Sequence, residues 1–225
     1  MLKHIAIIMD GNRKWAKFNN TNNIVAYKNG VDVAKSIINV ALIYSIKYLT
    51  LFVFSFDNNK RTQYEKAVVR YLLCIFLSSD NMHEMLENNI KVSFLGEIDL
   101  LDNYLQKKIK YLENLTRGCS GLHLNLAYNY SAMEEIISAI RNIIKKNISA
   151  EDIREDLIYQ MLYTSGMPNP DLLIRTNSSR LSNFMLLQLA YSELIFYKEL
   201  WPDFSVPMFV SAICEYYSRQ RKYGQ

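Results

Sequence analysis

Six short apolar runs, at 4–9, 48–55, 90–95, 122–127, 171–174 and 193–196, recur along the chain with helical patterns between them. They are often β-branched or aromatic and too short for buried helices, which is how strands covered on both faces read. The clearest helical pattern is 131–146. Ser131 with Glu134 three residues on has the form of a capping box, and Met133, Ile136, Ile137, Ile140, Ile143 and Ile144 make one apolar stripe. Lys145 and Lys146 then stand at the negative end of the helix dipole. Residues 31–45 and 64–88 also read as helices, as do 101–116, 152–162 and 207–221. Strands alternating with helices predict an α/β protein with a mostly parallel central sheet flanked by helices. With no repeat, low-complexity tract or linker, residues 1–225 read as a single domain.

Half of the 225 residues are apolar and 21% are charged, which supports a sizeable core and excludes global disorder. The net charge of +4 is spread over scattered Lys and Arg without a long run, so nucleic acid is not an expected partner. Phosphate groups on a small substrate remain one. Cys74, Cys119 and Cys214 form no CxxC pair and read as thiols in a reducing cytosol. The start, Lys3-His4-Ile5-Ala6-Ile7-Ile8-Met9-Asp10, is charged too soon for a signal peptide. The longest apolar stretches, around 37–46 and 71–77, fall short of the roughly 20 residues that span a bilayer. The expected location is cytoplasmic.

Ligands of parallel sheets bind beyond the carboxyl ends of the strands, and polar clusters gather there. The first strand runs into Asp10-Gly11-Asn12-Arg13-Lys14-Trp15. A carboxylate there can hold Mg²⁺, Gly11 admits a ligand close to the backbone, and Arg13 and Lys14 offer charge to phosphate oxygens. The alternative is a plain Asp-Gly turn. The second strand ends in Ser55-Phe56-Asp57-Asn58-Asn59-Lys60-Arg61, which alone would be a polar turn entering a helix. Two such clusters at neighbouring strand ends favour a shared site. The third is Arg175-Thr176 with Arg180-Leu181-Ser182-Asn183, where two arginines five apart could clamp a diphosphate. Glu193 sits inside an apolar stretch and needs a partner, a salt bridge or a metal. His4, His83 and His123 read as structural, and no Ser-His-Asp order, HExxH, P-loop or GxGxxG is present.

These residues carry a resemblance. Met9-Asp10-Gly11-Asn12 with Trp15, Phe54-Ser55 through Asn58 and Arg61, Asn129-Tyr130, Asp171 to Thr176, Ser182-Asn183-Phe184 and Leu200-Trp201-Pro202-Asp203-Phe204 resemble the cis-prenyltransferases, block by block and in order. The absence of any Asp-Asp pair separates the chain from the trans class with its DDxxD motif. The resemblance implies a Mg²⁺-dependent homodimer that adds isopentenyl diphosphate in cis to an allylic diphosphate, usually farnesyl diphosphate, to make a long carrier-lipid precursor. It further implies that Asp10, joined by Glu193, holds Mg²⁺. Gly11, Asn12, Arg13, Lys14 and Trp15 would bind the allylic substrate. Ser55, Asp57, Asn58 and Arg61 would surround the reacting ends, Asn58 in the proton-removal role, and Phe56 and Asn59 belong to the same segment. Arg175, Arg180, Leu181 and Ser182 would hold isopentenyl diphosphate. An apolar tunnel is implied too, for which Val68, Leu72, Ile75, Met82 and Leu86, with Leu51 and Val53, are candidates; ordinary core is the alternative for each. Membrane contact would be peripheral at most, at the inner face.

The chain departs from the family pattern at several points. Lys14 stands for an Arg, which keeps the charge without the fork. Asn23 and Tyr27 stand for an Arg and a His that bind phosphate, and Phe56-Asp57-Asn58-Asn59 for Ser-Glu-Asn-Trp. Ser131-Ala132-Met133 stands for Gly-Gly-Arg, the 175–180 loop lacks its Gly pair and is one residue short, and Lys222-Tyr223-Gly224 stands for Arg-x-Gly. Each lost charged donor is worth about 1.5–3 kcal/mol. The second reading is therefore a weakly active or non-catalytic subunit supporting a partner chain.

Overall fold

The computed structural model describes residues 1–57 and 62–219. The first strand, β1 (His4–Ile8), lies at the centre of a six-stranded parallel sheet. With β2 (Tyr48–Ser55), β3 (Ile90–Leu95), β4 (Leu122–Tyr130), β5 (Leu172–Arg175) and β6 (Glu193–Phe196), the order is β3-β4-β2-β1-β5-β6. All six expected strands are therefore present. The pleat sorts their side chains onto two faces. Ile5, Ile7, Leu49, Leu51, Leu124, Leu126, Leu172 and Ile174 enter the larger core cluster, whereas Ala6, Ile8, Ala127 and Leu173 enter a smaller one with Phe184, Met185 and Leu189.

Among the described residues eight α-helices connect and flank the strands. α1 (Asn12–Phe18) begins directly after Gly11, in a stretch to which the sequence reading assigned no helix. α2 (Asn23–Ile43) starts eight residues before the expected helix, because the Asn22 side chain accepts from the Val25 N–H at 3.0 Å and caps it. The expected 64–88 helix is two helices, α3 (Gln63–Phe76) and α4 (Ser79–Glu87). Its assumed apolar stripe divides accordingly: Val68 and Met82 are buried, but Ile75 and Leu86 are exposed. α5 (Asn103–Leu115), α6 (Ala132–Lys145), α7 (Glu155–Met161) and α8 (Val206–Ser218) complete the set.

α6 departs from its expected orientation. Ser131 does cap it, accepting from the Glu134 N–H at 3.2 Å. The inward stripe, however, is Ala132, Glu135, Ala139 and Ile143, while Met133, Ile140 and Ile144 are exposed. Among the described residues no helix is long and apolar enough to cross a membrane.

Candidate active site

The cleft follows from the strand order. β1 lies between β2 and β5, so the chain leaves β1 toward one side and later returns on the other, opening a crevice at their carboxyl ends. Asp10 stands just past β1, Ser55 and Asp57 at the end of β2, and Arg175 at the end of β5. They line one cavity of about 990 Å³. Gly11 lets the chain turn there: its φ is +115°, and a Cβ would lie 3.0 Å from the Leu200 backbone. α2 brings Asn23 and Tyr27 to the opposite wall, close to α1 because Gly30 has no side chain. A Cβ on Gly30 would come within 2.5 Å of the Asn12 side-chain oxygen.

Arg175 organises the polar floor. Only 2% of its side chain is exposed, and its Nη2 donates to Asp10 Oδ2 at 2.8 Å. Its Nη1 donates to the Ser182 hydroxyl at 2.7 Å and to the Arg180 carbonyl. The Arg180 Nε donates to the same hydroxyl at 3.1 Å. Thr176 fixes the Asp10 backbone, its hydroxyl donating to the Asp10 carbonyl at 2.6 Å. The Nε of Arg175 and the buried oxygen of Asn12 have no hydrogen-bond partner among the described residues. Five cations line the cleft (Arg13, Lys14, Lys17, Arg175, Arg180) against three acids (Asp10, Asp57, Glu65). That surplus, with a buried guanidinium already set in place, suits a polyanion such as a diphosphate.

Twelve of the expected site residues therefore meet in one cleft: Asp10, Gly11, Asn12, Arg13, Lys14, Asn23, Tyr27, Ser55, Asp57, Arg175, Arg180 and Ser182. Trp15 stands behind it, donating from Nε1 to Asp203 at 2.7 Å. Leu181 packs against the smaller core, and Phe56 lines a second cavity of about 380 Å³ with Phe54 and Tyr128. Asn58, Asn59 and Arg61 lie outside the described residues. The sequence reading missed Glu65, which receives the Arg13 guanidinium at 3.0 Å, and Asn177, which accepts from Lys14 at 3.2 Å. The Thr62-x-x-Glu65 spacing was a legible signal for the first, since it forms a complete capping box at α3.

Glu193 does not join Asp10 within one chain. Register sets Glu193 opposite Leu172 at the amino end of β5, whereas Ile8 faces Arg175 at its carboxyl end. Three residues along the strand and two strands across separate the two levels by roughly 14 Å, with Asp10 farther on. Two oxygens on one Mg²⁺ can be only about 4 Å apart. Glu193 is instead half-buried and paired with Arg219 at 2.8 Å, the salt-bridge alternative. Among the described residues no group of three His, Cys, Asp or Glu could hold a metal ion. The partly exposed Asp10 carboxylate beside a cationic cleft fits Mg²⁺, which is commonly held by one or two carboxylates together with substrate phosphates.

A parallel α/β sheet whose central carboxyl ends carry an Asp–Arg pair in a cationic cleft defines a class of phosphate-binding α/β proteins. The chain belongs to the family described as putative undecaprenyl diphosphate synthase, whose model matches residues 8–224. It is 40% identical over 99% of its length to the ditrans,polycis-undecaprenyl-diphosphate synthase ((2E,6E)-farnesyl-diphosphate specific) of Aliivibrio fischeri, covering 88% of that protein. It is 41% identical, again over 99% of its length, to the isoprenyl transferase of Listeria monocytogenes, covering 90% of it. Among solved structures, lavandulyl diphosphate synthase from Lavandula x intermedia, in complex with dimethylallyl diphosphate, superposes with a TM-score of 0.94 at 35% identity, over 100% of this chain and 98% of that one. A probable undecaprenyl diphosphate synthase from Campylobacter jejuni gives 0.84 at 32% identity, over 100% and 99%.

Proposed function

We propose that this chain condenses isopentenyl diphosphate units in cis onto an allylic diphosphate, farnesyl diphosphate first, to make a long polyprenyl diphosphate of the carrier-lipid type. The Asp10–Arg175 pair on the floor of the cleft carries this reading. In each turn the allylic C–O bond breaks, a carbon–carbon bond forms and the isopentenyl unit loses a proton. Arg13, Lys14 and the α1 backbone grip the allylic diphosphate, and Arg175, Arg180 and Ser182 grip the isopentenyl diphosphate. Asp10 stands between the two. Asp10 would hold Mg²⁺ together with phosphate oxygens, and the ion would supply charge to offset what develops on a departing diphosphate. Ile8, Met9, Phe52 and Val53 supply the apolar wall along which the allylic chain lies away from water.

The active species in this reading is a homodimer. Met133, Ile140 and Ile144 give α6 an apolar outward stripe, and β6 at the sheet edge exposes part of Phe196. The enzyme works in the cytoplasm, touching the inner face of the membrane only through its greasy product. Labelled isopentenyl diphosphate, incubated with farnesyl diphosphate, detergent and Mg²⁺, should yield a butanol-extractable ladder of cis products that chelation abolishes. One short product would overturn the long-chain part of the reading. A flat trace from folded protein would overturn the activity and leave the supporting-subunit role.

A further inference from the structure

We propose that Asn177 is a positioning residue that aims the Lys14 ammonium at the allylic diphosphate. The proposal rests on the proposed reaction, in which Lys14 grips that group. Asn177 stands two residues past Arg175, in the turn that leads to Arg180 and Ser182, whereas Lys14 lies in the first turn of α1. Both line the main cleft, and the Lys14 Nζ donates to the Asn177 side-chain oxygen at 3.2 Å.

An exposed lysine needs such aiming. Its ammonium is a point charge on a flexible four-carbon stem, without the rigid fork of an arginine, and holding the stem still costs rotamer entropy. Two contacts hold Lys14 in the empty cleft. The Phe18 ring lies one helical turn on, its centroid 5.6 Å from the ammonium, and Asn177 meets the ammonium from the turn after β5. An ammonium has three donors and Asn177 takes one, so two remain for phosphate oxygens. The amide oxygen also carries no net charge. A carboxylate in its place would offset the charge that a diphosphate must find.

Asn177 suits the role because its own backbone is fixed. Its φ is +65°, a left-handed conformation that asparagine visits more readily than most side chains. Its N–H donates to the Glu199 carbonyl at 2.9 Å. The residues beside these two partners are tied to a common point. The Thr176 hydroxyl donates to the Asp10 carbonyl at 2.6 Å, and the Trp201 N–H donates to the same carbonyl at 3.0 Å. The turn after β5, the end of β1 and the 199–201 segment thus meet at Asp10. A short side chain on this frame gives Lys14 a fixed mark, and it sets the subsite of Lys14 against that of Arg175.

The test uses Asn177→Gly, which removes the side chain at a φ that glycine adopts freely, in the parent and in a Lys14→Ala background. Calorimetric titration with farnesyl diphosphate alone involves no turnover. It should show Asn177→Gly binding about threefold to tenfold more weakly than the parent, as loss of one exposed charge-assisted hydrogen bond allows. In the Lys14→Ala background the same change should alter binding by less than about 1.5-fold, since the partner is gone. Steady-state rates of Asn177→Gly should carry the effect in the KM for the allylic diphosphate and leave that for isopentenyl diphosphate within about twofold. A parent that binds no farnesyl diphosphate would sink the proposed reaction. A parent that binds it, with Asn177→Gly binding it equally well, would sink the positioning role alone. Weakening of equal size in both backgrounds, or a rise confined to the KM for isopentenyl diphosphate, would overturn the proposal too, because Asn177 would then only shape its own turn.

Discussion

Arg175 is the residue on which the site turns. A guanidinium with 2% exposure is tolerable only because Asp10, Ser182 and the Arg180 carbonyl meet it from different directions. Lysine would keep the charge and lose the fork, so Arg175→Lys should cut kcat/KM by about tenfold to a hundredfold, the cost of one or two charge-assisted hydrogen bonds. Parent-like kinetics in a folded Arg175→Lys protein would contradict this. The residues themselves were legible in the sequence because charged and hydroxyl groups directly after β-branched runs have few other reasons to be there. Their partners were not. Nothing local says that Asn177 faces Lys14, or that Glu193 lies beside Arg219 rather than near Asp10, because both facts depend on register between strands far apart in sequence.

Elements were legible where the local signal and the tertiary environment agree. All six strands emerged from apolar runs, and the Ser131 cap marked the start of α6. The errors have physical causes. An apolar periodicity runs through Leu77 and Ser78, yet the chain breaks there, with Asn81 Nδ2 donating to the Ile75 carbonyl at 2.7 Å and to the Ser78 hydroxyl at 3.1 Å. β2 is bulged: Phe52 pairs with Ala127 but Phe54 with Tyr128, so Phe52 and Val53 both reach the cleft wall, against simple alternation. α6 buries Ala132, Glu135, Ala139 and Ile143 and exposes Met133, Ile140 and Ile144, which is not how a helix seated alone on a core would turn its apolar stripe. The homodimer proposed above would cover that face. Ile140→Glu should convert a dimeric parent into a monomer in sedimentation velocity with little change in melting temperature of the isolated chain. A monomeric parent, or a variant that sediments like a dimeric one, would contradict the assignment.

At the scale of the whole molecule, the amino ends of the strands are a structural counterpart to the site at their carboxyl ends. His4 is fully buried, its Nδ1 donating to the Pro168 carbonyl at 2.7 Å and its Nε2 bonded to Thr50 at 2.8 Å. Burial lowers the pKa of His4 and of His123 to about 4, from an ordinary 6.5. Both are neutral in the folded protein, and the unfolded chain binds the extra protons. Their stabilising share is thus whole above pH 6.5 and is lost as pH falls toward 4. For His4 the loss between pH 7 and 5 should be roughly 2 kcal/mol as an upper bound. Glu113 and Glu135, whose carboxyls burial pushes up, act in the opposite sense. The histidine share is therefore the part of the slope in urea unfolding that disappears in His4→Gln; an identical slope in parent and variant would refute it. None of this distant framework touches the reaction, whose centre rests on one carboxylate. The most direct test of that centre is chain-resolved incorporation of labelled isopentenyl diphosphate by the parent and by Asp10→Ala, each shown folded by circular dichroism. A Mg²⁺-dependent ladder in the parent that vanishes in Asp10→Ala is the predicted result, and a variant that extends chains as the parent does would contradict the account.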